Sequence, residues 1–386
     1  MLYNELGSPL FGGCWMMDLK KALEALRAAI ESVGPDAPEE EKTALALKLS
    51  MAGVLFLLAQ AHAEAAEALR EAASLYEEVG LLIEALASLN NLIIPLKALG
   101  RDDELLATLE RCLALYSELK GKNMPKPPSL GYFLVNVASE LARFGRVSDV
   151  YFVVKEALEA LGEAEDAMAE AQAYSLLANA CFILKRFEEG REAAFKAMEA
   201  SRQVKDMNAL AYSFILAAQN LVGLGKWKEA ERLTRKAVNL YRQLGSPRDL
   251  ARSLYVCALV LFEMGEYEEA LQNALESYEL CSSLEESEFL ADVLVLVGLC
   301  SVVLGDWKRA LSSLKEAVQR YINLGPPPYD FDTILKAYAE SLLATRDSSA
   351  LPTYIDGVNF WLIHGGVLDQ ELREFHRTVC QAFGVF

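Results

Sequence analysis

Few residues in this chain are of a kind and spacing that could break or make bonds. Its three histidines are His62, His364 and His376. His376 and Cys380 stand four apart, which on a helix places an imidazole and a thiol on one face and makes half of a metal site. No further ligand cluster accompanies them in the sequence, so neither a metal nor any other cofactor is expected. A glycine-rich phosphate loop is lacking, and "HGG" at 364–366 reads as a helix end. No Ser–His–Asp or Cys–His arrangement follows from the spacings. The acidic runs "PEEEK" (38–42) and "SLEESE" (283–288) fall where helices start, and carboxylates there complement the helix dipole. These residues argue against an enzyme and leave binding as the chemistry on offer.

The elements that would carry such binding are set by a repeat. Marking one turn residue per copy gives Gln60, Gly100, Gly145, Lys185, Gly225, Gly265 and Gly305, spaced by 40 except for one step of 45. The longer step holds the insertion "GKNMPKPPS" (121–129). Two residues past the turn stand His62, Asp102, Val147, Phe187, Trp227, Tyr267 and Trp307; five past it come Ala65, Leu105, Val150, Gly190, Ala230, Ala270 and Ala310. Seven before it are Gly53, Ile93, Ala138, Ala178, Ala218, Ala258 and Gly298. Small residues on both sides of a turn let two antiparallel helices approach closely, and an aromatic just past it fills the wedge where they part. Between turns the apolar residues recur at three- and four-residue steps, as in Leu250, Leu254, Cys257, Ala258 and Leu261, which is a helical stripe.

Each copy is thus a helix–turn–helix pair that cannot bury its own apolar faces, so the copies must stack. The fold class expected is all-α, an α-solenoid forming a right-handed superhelix of antiparallel helix pairs with helical caps at both ends. Residues 1–17 read as a poorly ordered leader and 18–41 as an N-terminal capping helix. Residues 42–325 read as seven helix pairs, and 326–386 as a C-terminal cap with three amphipathic helices. The proline run "PPPYDF" (326–331) reads as a helix breaker rather than a recognition motif.

Turn sequences such as "GKWKEA", "GEYEEA" and "GDWKRA" resemble the tetratricopeptide repeat (TPR), in a variety longer than that family's usual period. Helix endings "AVNLYRQLG", "AVQRYINLG" and "AASLYEEVG" resemble the sensor arrays of bacterial signal-transduction ATPases that regulate transcription, and similar long repeats occur in eukaryotic TPR adaptors. The resemblance spans roughly residues 40–325 and is clearest over 206–325. It implies that the first helix of each pair lines a concave groove where ligands lie. On that implication the groove would carry Asn90, Asn91, Tyr132, Asn136, Ser139, Gln172, Ser175, Asn179, Tyr212, Gln219, Arg252 and Tyr255. Side-chain amides can satisfy the N–H and C=O groups of an extended peptide whatever its sequence. They can equally serve contacts between helices on an unused wall. The same columns turn apolar in the last copies, which implies an end closed by the 331–383 helices or by a second subunit of a homo-oligomer.

Lys plus Arg number 37 against 55 Asp plus Glu, a net charge of −18, which repels phosphate backbones and excludes direct nucleic-acid binding. That charge suits a basic partner, but a surface that resists self-association is the plainer and preferred reading. The seven cysteines contain no CxxC pair and sit in apolar pattern, as reduced core thiols of a cytoplasmic protein do. The most apolar run, "VLVLVGLCSVVL" (293–304), is too short to cross a bilayer. The function expected is a non-enzymatic scaffold that holds a peptide or extended protein segment in its groove. The alternative is a regulatory sensor that binds a small molecule or signalling peptide and controls a transcription or signalling partner.

Overall fold

All seven turn positions adopt a left-handed backbone, with φ of 58° at Gln60 and Lys185 and 65–82° at the five glycines. Two helices can reverse direction this tightly only through such a conformation, which glycine enters without strain and a side chain does not. The computed structural model describes Ala28 and residues 37–122, 127–162, 166–284, 287–328 and 330–385. The leader, nearly all of the 18–41 capping helix and the centre of the 121–129 insertion lie outside them. Glu39–Glu41 form the first turn of the first helix described below.

The fold is all-α, an α-solenoid of helix pairs, and no strand occurs among the described residues. The pairs are α1 (Glu39–Leu58) with α2 (His62–Glu78), α3 (Leu82–Ala98) with α4 (Asp102–Gly121), and α5 (Pro128–Arg143) with α6 (Val147–Leu161). Next come α7 (Ala167–Ile183), α8 (Phe187–Gln203), α9 (Met207–Gly223) with α10 (Trp227–Leu244), α11 (Pro247–Glu263) with α12 (Tyr267–Ser283), and α13 (Ser287–Val303) with α14 (Trp307–Leu324). Three helices follow, α15 (Phe331–Thr345), α16 (Leu351–Ile363) and α17 (Gln370–Phe383). The chain divides within α7 into two compact units, Met1–Ala180 and Cys181–Phe386.

Within each unit the small columns explain the close packing. A Cβ added at Gly53 would stand 2.5 Å from the Leu69 side chain, and one at Gly298 would stand 2.6 Å from Leu314. Both leucines lie nine residues past the turn, so a leucine of the second helix fills the hollow that the glycine leaves in the first. The turn aromatics work across pairs as well as within them. Tyr267 meets Phe262 edge to face at 5.3 Å, while the Phe187 ring occupies the space where Gly223 would carry a side chain.

Neighbouring second helices are tied by ion pairs 34 to 36 residues apart: Arg70–Glu104, Arg111–Glu77, Lys120–Glu156, Arg235–Glu269 and Arg242–Glu276. In the first unit a denser network spans the irregular step. Lys97 pairs with buried Glu140 at 2.5 Å, and Arg143 bridges Glu140 to Asp102. At the C-terminal end, Val295, Leu299 and Val302 of α13 pack on a core that holds Phe331, Tyr338 and Tyr354. The chain's own α15–α17 therefore cover the last pair, and that explains the apolar columns there. The five described cysteines between 112 and 300 are free and buried, and Cys380 is half-buried. No helix among the described residues is long and apolar enough to cross a membrane.

Candidate functional site

Every residue assigned to the groove lies on the first helix of its pair. In the first unit, Asn90 and Asn91 are half-buried on α3, and the amide of exposed Asn136 on α5 donates to Asn90 Oδ1 at 3.2 Å. This bond joins two neighbouring pairs at the same level of the array. Ser139 and Asn179 are half-buried, Gln172 is exposed and Ser175 is buried. The side-chain amides of Asn91, Gln172 and Asn179 engage no neighbour among the described residues. Tyr132 is 37% exposed, and its hydroxyl donates to Asp166 Oδ2 at 2.7 Å. Asp166 in turn accepts from the backbone N–H groups of Met168 and Ala169 and so holds the start of α7. The Tyr132 hydroxyl and these two N–H groups hold its carboxyl below the usual carboxylate range. Of Tyr132, then, the ring is free for a ligand and the hydroxyl is engaged.

In this unit the columns that supply the groove residues also carry apolar side chains, at Leu47, Met51 and Ile94. Leu47, Met51 and Leu58 on α1 and Ile94 on α3 are 53%, 61%, 73% and 54% exposed.

In the second unit the assigned residues are Tyr212 and Gln219 on α9 and Arg252 and Tyr255 on α11. Tyr212 is 44% exposed, yet desolvation around its hydroxyl end raises that group, and the positive charge of nearby Arg252 acts against the rise. Arg252 lies 5.9 Å from the ring centre of Phe289. The same ring meets Tyr255 edge to face at 5.2 Å. Burial, then Asp292 and Asp330, push the Tyr255 hydroxyl upward. Tyr321 donates a short hydrogen bond to Asp292, and burial together with that carboxylate raises it further. Phe289, Asp292, Tyr321, Leu324, Gly325 and Pro326 line a cleft of about 390 Å³.

Phe289 and Tyr321 were not among the groove residues read from sequence. Asp292 falls in the column thirteen before the turn that also supplies Tyr132, Gln172, Tyr212 and Arg252, so its signal was present. Phe289 and Tyr321 fall outside those columns and are brought to it by α13 and α14. His376 and Cys380 do approach each other, Nε2 to Sγ at 3.7 Å. Among the described residues no group of three or more metal-ligating side chains forms.

Residues 142–355 match the family described as the MalT-like TPR region. No curated protein matches the chain. Among solved structures, the apo form of RapI is similar at 15% identity over 88% of this chain and 97% of that one, with a TM-score of 0.53. A Rap protein complexed with competence and sporulation factor is similar at 14% identity over 89% of this chain and 98% of that one, with a TM-score of 0.53. A signal-transduction ATPase with numerous domains from Pyrococcus horikoshii, which has a tetratricopeptide repeat sensor, reaches a TM-score of 0.58 at 13% identity, covering 96% of this chain and 56% of that one. At such identities the likeness is one of fold.

Proposed function

Since the chain belongs to the MalT-like tetratricopeptide-repeat family, we propose that it acts without catalysis, holding a peptide or extended protein segment along the first helices of its pairs. The observation that carries this reading is the row of amides on α3, α5 and α7. Asn90 and Asn136 bridge two pairs, and Asn91, Gln172 and Asn179 keep their donors and acceptors unengaged among the described residues. An extended chain has one N–H and one C=O per residue to satisfy, and amides offer both partners. The exposed apolar residues of α1 and α3 give the side chains of such a segment somewhere to bury. A protein of like fold, a Rap protein, is complexed with competence and sporulation factor, which supports a binding role for such an array. The buried free thiols are in keeping with a reducing compartment, the cytoplasm.

The test is a displayed random-peptide library selected on the protein. The selected peptides are then measured on an Asn91→Ala/Gln172→Ala/Asn179→Ala variant whose circular dichroism and Tm match the parent. At about 0.5–1.5 kcal/mol per hydrogen bond, the variant should bind tenfold or more weakly. Equal binding would remove the amides from the site.

A sensor of small molecules is the second reading, favoured by the likeness to an ATPase whose repeats form a sensor. A selection that yields no peptide, together with a metabolite that raises the Tm, would replace the first reading with this one.

A further inference from the structure

The first helix pair leaves open a face that the later pairs bury. Five residues before the turn stand Leu55, Pro95, Glu140, Ala180, Asn220, Val260 and Cys300. The last six are buried, whereas Leu55 is 62% exposed. In the second unit this column is covered by the second helix of the preceding copy, at the position five past its turn. A Cβ at Gly190 would meet Asn220 Oδ1 at 2.0 Å, Ala230 shares a buried cluster with Val260, and Ala270 shares another with Cys300. On α1, Ala44, Lys48 and Ala52 fall in one helical stripe with Leu55. The two alanines admit a closely packed helix, and the Lys48 stem can lie along it with its charge in water.

The sequence before α1 holds a matching piece. The run "EALR" occurs at 24–27 and again at 67–70, a step of 43. The buried residues of α2 run from Ala65 to Tyr76. At 43 positions before each of them stand Ala22, Leu23, Ala25, Leu26, Ala29, Ile30 and Val33, every one apolar. Ala28 is helical and exposed, and its phase lies opposite that apolar stripe. We propose that residues 19–33 form the second helix of an incomplete pair and dock on the face of α1 that carries Ala44, Ala52 and Leu55. Ala22 then lies against Leu55 as Gly190 lies against Asn220. Residues 34–38 join this helix to α1, a longer link than Val79–Leu81 between α2 and α3. So short a tether gives the segment an effective concentration on the order of millimolar, which favours it over a second copy of the chain. Leu47 and Met51, in the groove columns, stay open, so the docking is independent of the amide reading.

The test is a disulfide trap in the full chain with Cys14→Ser. Ala22→Cys/Leu55→Cys should close under mild oxidation, since a Cβ at Gly190 stands only 2.6 Å from Asn220 Cγ at the equivalent place. The product should run as a monomer on a non-reducing gel and yield the linked 22–55 peptides by mass spectrometry. Ala28→Cys/Leu55→Cys should stay open, because position 28 faces away. Hydrogen exchange on the parent chain is the second readout. Amides of 22–33 should exchange about tenfold or more slower than in the isolated 19–33 peptide. Leu26→Asp, at the counterpart of fully buried Leu69, should erase that protection and leave α5 and α6 unchanged. No bridge at 22–55, equal bridging from position 28, or exchange of 22–33 at the peptide's rate would each overturn the proposal. A 22–55 bridge between two chains would overturn it as well, and would put a second copy on this face.

Discussion

The most specific packing choice in the molecule is a single glycine. In the column five past the turn, four of the seven copies carry alanine, but the fourth copy carries Gly190. A Cβ there would lie 2.0 Å from Asn220 Oδ1 and 2.9 Å from the Cys181 Cβ. Asn220 is fully buried and donates from Nδ2 to the Leu216 carbonyl at 2.9 Å, so it cannot easily move aside. Gly190→Ala gains helix propensity yet should cost about 1–3 kcal/mol in urea unfolding, because overpacking outweighs propensity. Adding Asn220→Ala should restore most of that loss. Additive losses in the double variant would mean that the two residues do not compete for one space. This pairing was invisible in the sequence, because residues 190 and 220 belong to different copies and nothing in either marks the other. The cleft was hidden for the same reason. Asp292 shared a column with the groove residues, but its aromatic walls come from other phases of α13 and from the following helix.

At the scale of elements, the three closing helices were legible, since each is a bounded amphipathic segment and α15, α16 and α17 occupy the expected stretches. The turns were legible too, because glycine marks most of them and the 40-residue spacing supplied Gln60 and Lys185 where it does not. What pattern could not show is how α17 docks. His376 of α17 lies against Tyr354 of α16, ring centres 5.9 Å apart, with its Nδ1 buried and unpaired. Desolvation lowers this imidazole from its ordinary value of 6.5. The unfolded chain therefore binds the proton more readily than the folded one. The contribution of His376 to stability is complete above pH 6.5 and is lost as pH falls below it. A Tm that drops between pH 7 and pH 5.5, with a smaller drop in His376→Phe, is the expected result. An unchanged slope in that variant would place the titration on another group.

At the scale of the whole molecule, stability in a stack of pairs is a sum over neighbours rather than the property of one core. The ion pairs of the second helices follow this logic, since each joins one copy to the next and none reaches further. Their consequence is mechanical. Among the described residues these ion pairs give tension applied to the chain ends no long-range strap to break, so it should open the molecule link by link at modest force. Each helix pair of 40 residues adds about 140 Å of contour length when drawn out. An optical-trap trace should therefore show a ladder of near-equal rips, with one longer step where the spacing widens to 45. A single rip that released the whole length at once would mean that the pairs are welded into one unit. A protein that yields in graded steps can stretch along a partner under load and recoil when released, as a spring does and a globule does not.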